Sequence, residues 1–212
     1  MIDSRIKPLE RSAGRPPLTV DTLTLAIGGD ARAQQVVVEH AYDFSRRLLL
    51  RLVGATAEFD DLHQNVMISV LTKLRGYRLE ASFTTWVGSI CVNEARGAFR
   101  KSKSARTLVY AAEDEGHVAQ MLEKAEGESA GPHDLTAARQ LLGRCQAALN
   151  ELSIEQRTAF LLRVVEGFSV KEVATMMHSA LSTTRLRLYY GRKRMAKALG
   201  RRIDDAESEK PS

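Results

Sequence analysis

SVKEVATMMHSALSTTRLRLYYGRKRMAKAL, residues Ser169 to Leu199, reads as a short helix, a tight turn and a longer helix loaded with cations. From Ser182 to Arg202 there are eight basic residues (Arg185, Arg187, Arg192, Lys193, Arg194, Lys197, Arg201, Arg202) and no acidic one. A helix-turn-helix whose second helix is this basic suits the major groove of DNA. Val173, Ala174 and Met177 are expected to face a bundle, with Leu181 as an apolar plug in the turn. Leu188 and Met195 continue the buried face of the second helix. Ser182 is expected to cap that helix.

The chemistry of recognition sorts the remaining side chains. Ser182, Thr183, Arg185, Leu186 and Arg187 lie in the amino-terminal part, the end that meets base edges in this motif. An arginine gripping guanine bidentately discriminates by about 1–3 kcal/mol. Tyr189, Arg192 and Arg194 are placed for phosphates, which add affinity but little sequence choice, and Lys171 on the first helix is a further candidate for DNA contact.

Working outward, the chain has 212 residues, a net charge of +5 and a pI near 9.4, which point to a polyanionic partner. The charge is unevenly spread. Glu113, Asp114, Glu115, Glu123, Glu126, Glu128 and Asp134 fall in a stretch whose only strong base is Lys124. Cys91 and Cys145 are far apart, giving neither a disulfide framework nor a metal motif, and both are expected to be core thiols in a reducing cytosol. The five histidines do not cluster and read as surface or turn residues. No apolar run is long enough for a membrane span and no signal peptide is visible, so the expectation is a cytoplasmic protein without membrane insertion, metal or cofactor.

The predicted organisation is all-α: two small helical domains joined by a flexible acidic linker. Residues 1–29 are a mobile basic arm, 30–102 a first domain, 103–134 the linker, 135–200 a second domain and 201–212 a tail. In the first domain Val37, Ala41, Phe44, Leu48 and Leu52 repeat at helical spacing, closed by Gly54. A helix from Phe59 to Leu74 carries the row Leu62, Val66, Val70 and Leu74, widened by Phe59, Met67 and Leu71. After a loop, Ser82 caps a helix running through Trp86, Ile90 and Phe99 to a basic end. In the linker a brief helix over Val118 to Lys124 is conceivable from pattern. In the second domain a helix over Leu135 to Leu149 precedes capping boxes at Ser153/Gln156 and Ser169/Glu172, which start helices at Ile154 and before the turn.

Both halves resemble one family. FDDLHQNVMISVL (Phe59 to Leu71), FTTWVGSICVNEARGAFRK (Phe83 to Lys101) and ALNELSIEQRTAFLLRVVEGFSVKEVA (Ala148 to Ala174), followed by the helix-turn-helix, are similar in order to bacterial sigma factors of the extracytoplasmic-function (ECF) group of the sigma-70 family. Met67 stands where Phe is usual and Gly97 where Asp is common. His178 replaces the usual turn glycine, a change the turn tolerates because histidine is enriched at positive φ. Thr184 and Leu186 replace common Val and Ser, which leaves the promoter sequence open.

The resemblance implies a division of labour. Asp61, Gln64, Asn65 and Ile68 would contact the beta-prime clamp helices of core RNA polymerase, with the beta flap as a second polymerase contact. Asp60 and Asp61 also suit a helix amino terminus for purely structural reasons. Around an opened −10 element, Tyr77 and Phe83 would stack on bases, Asn93 would bond the strand, and Arg96, Arg100 and Lys101 would hold phosphates. Trp86 fits a core position better than a stacking platform. The carboxy-terminal helix-turn-helix would read the −35 element of promoter DNA. The linker is either a passage through the polymerase interior or a solvated tether. An anti-sigma factor is the further expected partner.

The functional reading is an initiation factor that brings polymerase to promoters and helps melt them. The alternative is a stand-alone helix-turn-helix regulator whose first domain senses or dimerises. An enzyme finds no phosphate loop, metal spacing or matched nucleophile and base in this sequence.

Overall fold

A computed structural model of the chain describes residues 18–101 and 132–200. The expected N-terminal arm up to residue 17, the acidic linker with its Val118–Lys124 segment, and the tail lie outside the described residues. Every regular element among the described residues is helical. By their contacts these residues form two units, one of 18–101 with 171–179, the other of 132–170 with 180–200.

The first unit is a bundle built on α2 (Ala31–Val53). Asp30 starts it by accepting the Ala33 amide at 2.8 Å, and Gly54 ends it at φ 75°, a conformation only glycine adopts freely. The predicted row Val37, Ala41, Phe44, Leu48 and Leu52 is buried throughout. A helix not anticipated from the sequence, α1 (Val20–Ile27), falls in the stretch read as a mobile arm. Thr19 caps it, Leu23 and Ala26 are buried, and Gln34 of α2 donates to the Ala26 carbonyl at 3.1 Å. Its two apolar anchors in eight residues are too few for periodicity to register.

Helix α3 (Phe59–Lys73) runs into a 3₁₀ turn over Leu74–Gly76, and α4 (Phe83–Lys101) follows the loop. Ser82 caps α4 as expected, its hydroxyl accepting the Thr85 amide at 3.1 Å. One expectation fails on α3: Leu71, placed in the apolar row, is 48% exposed. Helix α7 (Val170–Met176) joins this unit from Lys171 onward. It closes on His178, which takes φ 47° in the position where the family carries glycine, while the Ser179 amide reaches the Ala174 carbonyl at 3.0 Å. That pairing is the Schellman closure, and histidine sustains it.

The second unit comprises α5 (Pro132–Asn150), α6 (Ile154–Phe160), which continues as a π-helical turn over Leu161–Val165, and α8 (Leu181–Ala198). The Ser153/Gln156 capping box forms in both directions, each bond 3.2 Å. Gly191 is the crossing point of α8 over α6, since a Cβ there would stand 3.2 Å from the Phe160 ring. Two expectations for α8 are corrected. Ala180 is its N-cap, so Ser182 lies inside the first turn, and Leu181 is 40% exposed and plugs nothing. Cys91 is buried in the first unit, whereas Cys145 on α5 is half-exposed.

His40 and His63 are not surface histidines: both are buried. His63 Nε2 lies 3.0 Å from Ser45 Oγ and 3.3 Å from the Tyr42 carbonyl, which can only accept, so Nε2 carries the proton. Phe59 stacks on the imidazole at 6.1 Å and Tyr42 meets it edge-on at 4.7 Å. Burial holds its pKa below the ordinary value, and the Tyr42 carbonyl opposes that only in part. The unfolded chain therefore binds this proton more readily than the folded one. Stability of the first unit should be flat above pH 7 and fall as the pH drops below about 6.5. Denaturant titrations from pH 7 to 5.5 should show a shallower slope for His63→Gln than for the natural chain; equal slopes would remove His63 as the source.

Candidate nucleic-acid interface

Helix α4 shows two chemistries on opposite faces. Val87, Ile90, Cys91 and Ala95 are buried in the bundle. Asn93, Arg100 and Lys101 are exposed and Arg96 is half-buried, at spacings that place them along one side. Arg100 and Lys101 sit in the last turn, where cations complement the helix dipole.

The loop before α4 is held rigidly by aromatics. Tyr77 stacks on Trp86 at 4.8 Å and meets Phe83 edge-on at 6.1 Å, and its hydroxyl donates to the Ala81 carbonyl at 2.7 Å. Tyr77 is 5% and Phe83 2% exposed, so neither ring offers a face to a base, contrary to the stacking role expected for them. Their burial follows from position: both flank the loop and close on Trp86, which is half-buried between them. Leu79 takes φ 58° in this loop, an uncommon and strained conformation for a leucine. Arg75 and Arg78 project from the same loop into solvent.

The side of α4 bearing Asn93 and Arg96 meets residues 172–178. Arg96 Nη1 donates to the Met177 carbonyl at 3.0 Å. Asn93 Nδ2 and His178 Nε2 are 3.4 Å apart, and Thr85 Oγ1 donates to Glu172 at 3.4 Å. Met176 covers Gly88, where a Cβ would stand 2.9 Å from its sulfur.

On α3 the residues Asp61, Gln64, Asn65 and Ile68 are exposed and share one stripe, as expected. Ile68 is 52% exposed, and Leu71 extends the stripe by a further turn. Periodicity assigned Leu71 inward; the structure instead sets it beside Ile68 as a second exposed aliphatic of the stripe.

In the second unit the cations of α8 divide into two sets. Arg185, Arg192, Lys193 and Lys197 are exposed, together with Ser182, Thr183 and Leu186, and Tyr189 is half-buried with Lys193 over its ring at 6.0 Å. Arg187 instead turns inward to Glu155 of α6, with Nη2 to the carboxylate at 3.4 Å. Arg194, seven residues on, pairs with Glu151. Both were expected to contact DNA. The seven-residue spacing puts them on one side of the helix, where Arg187 is a packing residue with its side chain only 24% exposed while Arg194 pairs with the turn before α6 and stays exposed. Lys171 on α7 is exposed.

Two family models match the chain: sigma-70 region 2 over residues 37–105, and sigma-70 region 4 over 142–195. The ECF RNA polymerase sigma factor SigM of Mycobacterium tuberculosis is 29% identical over 182 residues, covering 85% of this chain and 84% of that protein. Among solved structures, CnrH in complex with the cytosolic domain of CnrY superposes with a TM-score of 0.59 at 17% identity, over 87% of this chain and 98% of that one. The sigma factor RpoE in complex with the anti-sigma factor NepR, from Bartonella quintana, gives a TM-score of 0.52 at 22% identity, over 77% and 94%. Both structures share the fold. Region 2 and region 4 in this order, on helices that carry their polar and cationic residues outward, make the chain a member of the ECF group of the sigma-70 family: it is an RNA polymerase sigma factor.

Proposed function

We propose that each exposed surface described above has one partner during promoter opening. The α3 stripe of Asp61, Gln64, Asn65, Ile68 and Leu71 docks on the beta-prime clamp helices of core polymerase. Asn93, Arg96, Arg100 and Lys101 on α4 hold the opened −10 strand, with Asn93 bonding the strand and the three cations neutralising phosphates. The outward face of α8, centred on Ser182, Thr183, Arg185, Leu186 and Arg192, reads the −35 element. Tyr189 and Lys171 flank that face. Val164 and Val165, 51% and 44% exposed, are the apolar surface the second unit offers the beta flap.

The observation that carries this reading is the exposed aliphatic pair on α3. Ile68 and Leu71 lie about one turn apart on the side that also carries Asp61, Gln64 and Asn65, a mixed apolar and polar stripe that a partner protein can cover. The chain itself contributes binding and positioning, and polymerase supplies the chemistry. It acts in the cytoplasm, where an anti-sigma factor can occupy the same surfaces. Among the described residues no helix is long and apolar enough to cross a membrane.

Reconstitution is the direct test. Purified chain and core polymerase should form a complex and initiate at start sites that map, in transcripts from cells overproducing the chain, to shared −35 and −10 elements. A chain that binds such DNA unaided and ignores core polymerase is a stand-alone regulator instead.

Replacing Ile68 and Leu71 together by serine should weaken binding to core polymerase at least tenfold, since burying each aliphatic side chain contributes about 1.5–3 kcal/mol. Thermal stability should fall much less than for a core substitution, because both are about half exposed. Unchanged affinity in a binding titration would take α3 out of the interface.

Arg185 and Arg187 should separate cleanly. Arg185→Ala should cost about 1–3 kcal/mol of promoter affinity, concentrated at the −35 element. Arg187→Met should leave that affinity within about twofold, because its guanidinium is already committed to Glu155. Equal losses in a promoter-binding assay would return Arg187 to the DNA face.

A further inference from the structure

We propose that Leu186 and Tyr190 read a thymine in the −35 element through its C5-methyl group, so that this chain selects an A·T pair at one position of its promoters. The inference rests on the −35 role assigned above to α8, and it names what one stripe of that helix recognises. Thr184, Leu188, Gly191 and Met195 are buried and fix which side of α8 packs into the second unit. Leu186 stands two residues past Thr184 and two before Leu188, roughly 200° of helical turn from each, so it lies away from the packed side. Tyr190 follows four residues on, the spacing that brings side chains together on one helix surface. The two are 41% and 48% exposed. Arg185, Lys193 and Lys197 are exposed along the same helix, and α8 holds no acidic residue, a setting that favours a polyanion over a protein surface as the occupant.

Side-chain chemistry then narrows the base. Leu186 lies in the second turn of α8, which starts at Leu181, within the part of a recognition helix that meets base edges. A leucine side chain neither donates nor accepts a hydrogen bond. Among the groups that the four base pairs show in the major groove, only the thymine methyl is apolar. Set against any polar edge, Leu186 would displace water from a donor or acceptor and offer no bond in return. Guanine, adenine and cytosine are therefore disfavoured at that position while thymine is favoured. Tyr190 lies one turn further along and meets Tyr189 edge-on at 5.6 Å, which steadies its ring. That ring closes the flank of the methyl group against water, with its hydroxyl left toward solvent.

Uracil in place of thymine removes the methyl group and leaves the pairing edge unchanged, which isolates the contact. Promoters come from transcript mapping in cells overproducing the chain. Polymerase assembled with the full chain is titrated with duplexes whose −35 thymines, on either strand, are replaced by deoxyuridine one at a time. One position should bind about fourfold more weakly as uracil, the effect of withdrawing roughly one buried methyl group. With Leu186→Ala the thymine and uracil duplexes should bind within about 1.5-fold of each other, whereas Leu186→Met, which keeps an apolar reader, should retain most of the difference. Tyr190→Ala should shrink it to about twofold. Three results would each overturn the proposal: a shared −35 element built of G·C pairs alone, no thymine that responds to uracil, or a response that persists in Leu186→Ala. So would weaker binding of Leu186→Ala to core polymerase in the absence of DNA, since the leucine would then serve a protein contact. If scrambling the −35 element leaves binding of the natural assembly unchanged, the −35 reading itself fails, and the methyl contact with it. A −35 element that matters but is blind to the methyl group sinks the methyl contact alone.

Discussion

Helix α4 has to satisfy two environments within nineteen residues, and the first unit is arranged around that demand. Val87, Ile90, Cys91 and Ala95 fix its rotation by entering the bundle, which leaves Asn93, Arg96 and Arg100 no choice of direction. A one-residue slip would turn them by about 100° and bury the cations. The aromatic clamp of Tyr77, Phe83 and Trp86 fixes the start of the helix, and Ser82 fixes its first turn. Rigid presentation matters because a separated DNA strand is flexible. The entropy of ordering that strand is less costly to offset when the protein groups are already in place.

Charge on α8 is arranged by a comparable division. Glu151 and Glu155 pair with Arg194 and Arg187, leaving Arg185, Arg192, Lys193 and Lys197 outward. Exposed ion pairs contribute little stability, about 0–1 kcal/mol each, so their effect here is geometric more than energetic. They tie α8 to α6 and to the turn before it, beside the close crossing at Gly191, and they stop the helix from presenting an undifferentiated cationic cylinder. Only cations that face phosphates displace counterions, so the salt dependence of promoter binding follows the outward set and not the total charge of the helix.

Most of the architecture was readable because its signals are local and redundant. The α2 row, the Ser82 cap, the Ser153/Gln156 box and the glycine at the end of α2 each say the same thing about where a helix starts, stops or packs. His178 at positive φ followed from turn chemistry in the same way. The failures share a cause too. Whether Leu71 faces in or out, whether Arg187 reaches DNA or Glu155, and whether Tyr77 offers its ring or buries it all depend on neighbours distant in sequence. Periodicity assigns a face but not what covers that face. Helix α1 was invisible for a different reason: eight residues with two buried anchors resemble a loop until α2 is there to receive them.

The roles proposed for the first unit fall on different helices. The stripe of Ile68 and Leu71 lies on α3, whereas Asn93, Arg96, Arg100 and Lys101 lie on α4. A partner bound to the first would therefore not occupy the second. Under the proposed reading, binding energy gained on α3 is available to drive strand capture on α4, because two sites on one rigid bundle can be filled together.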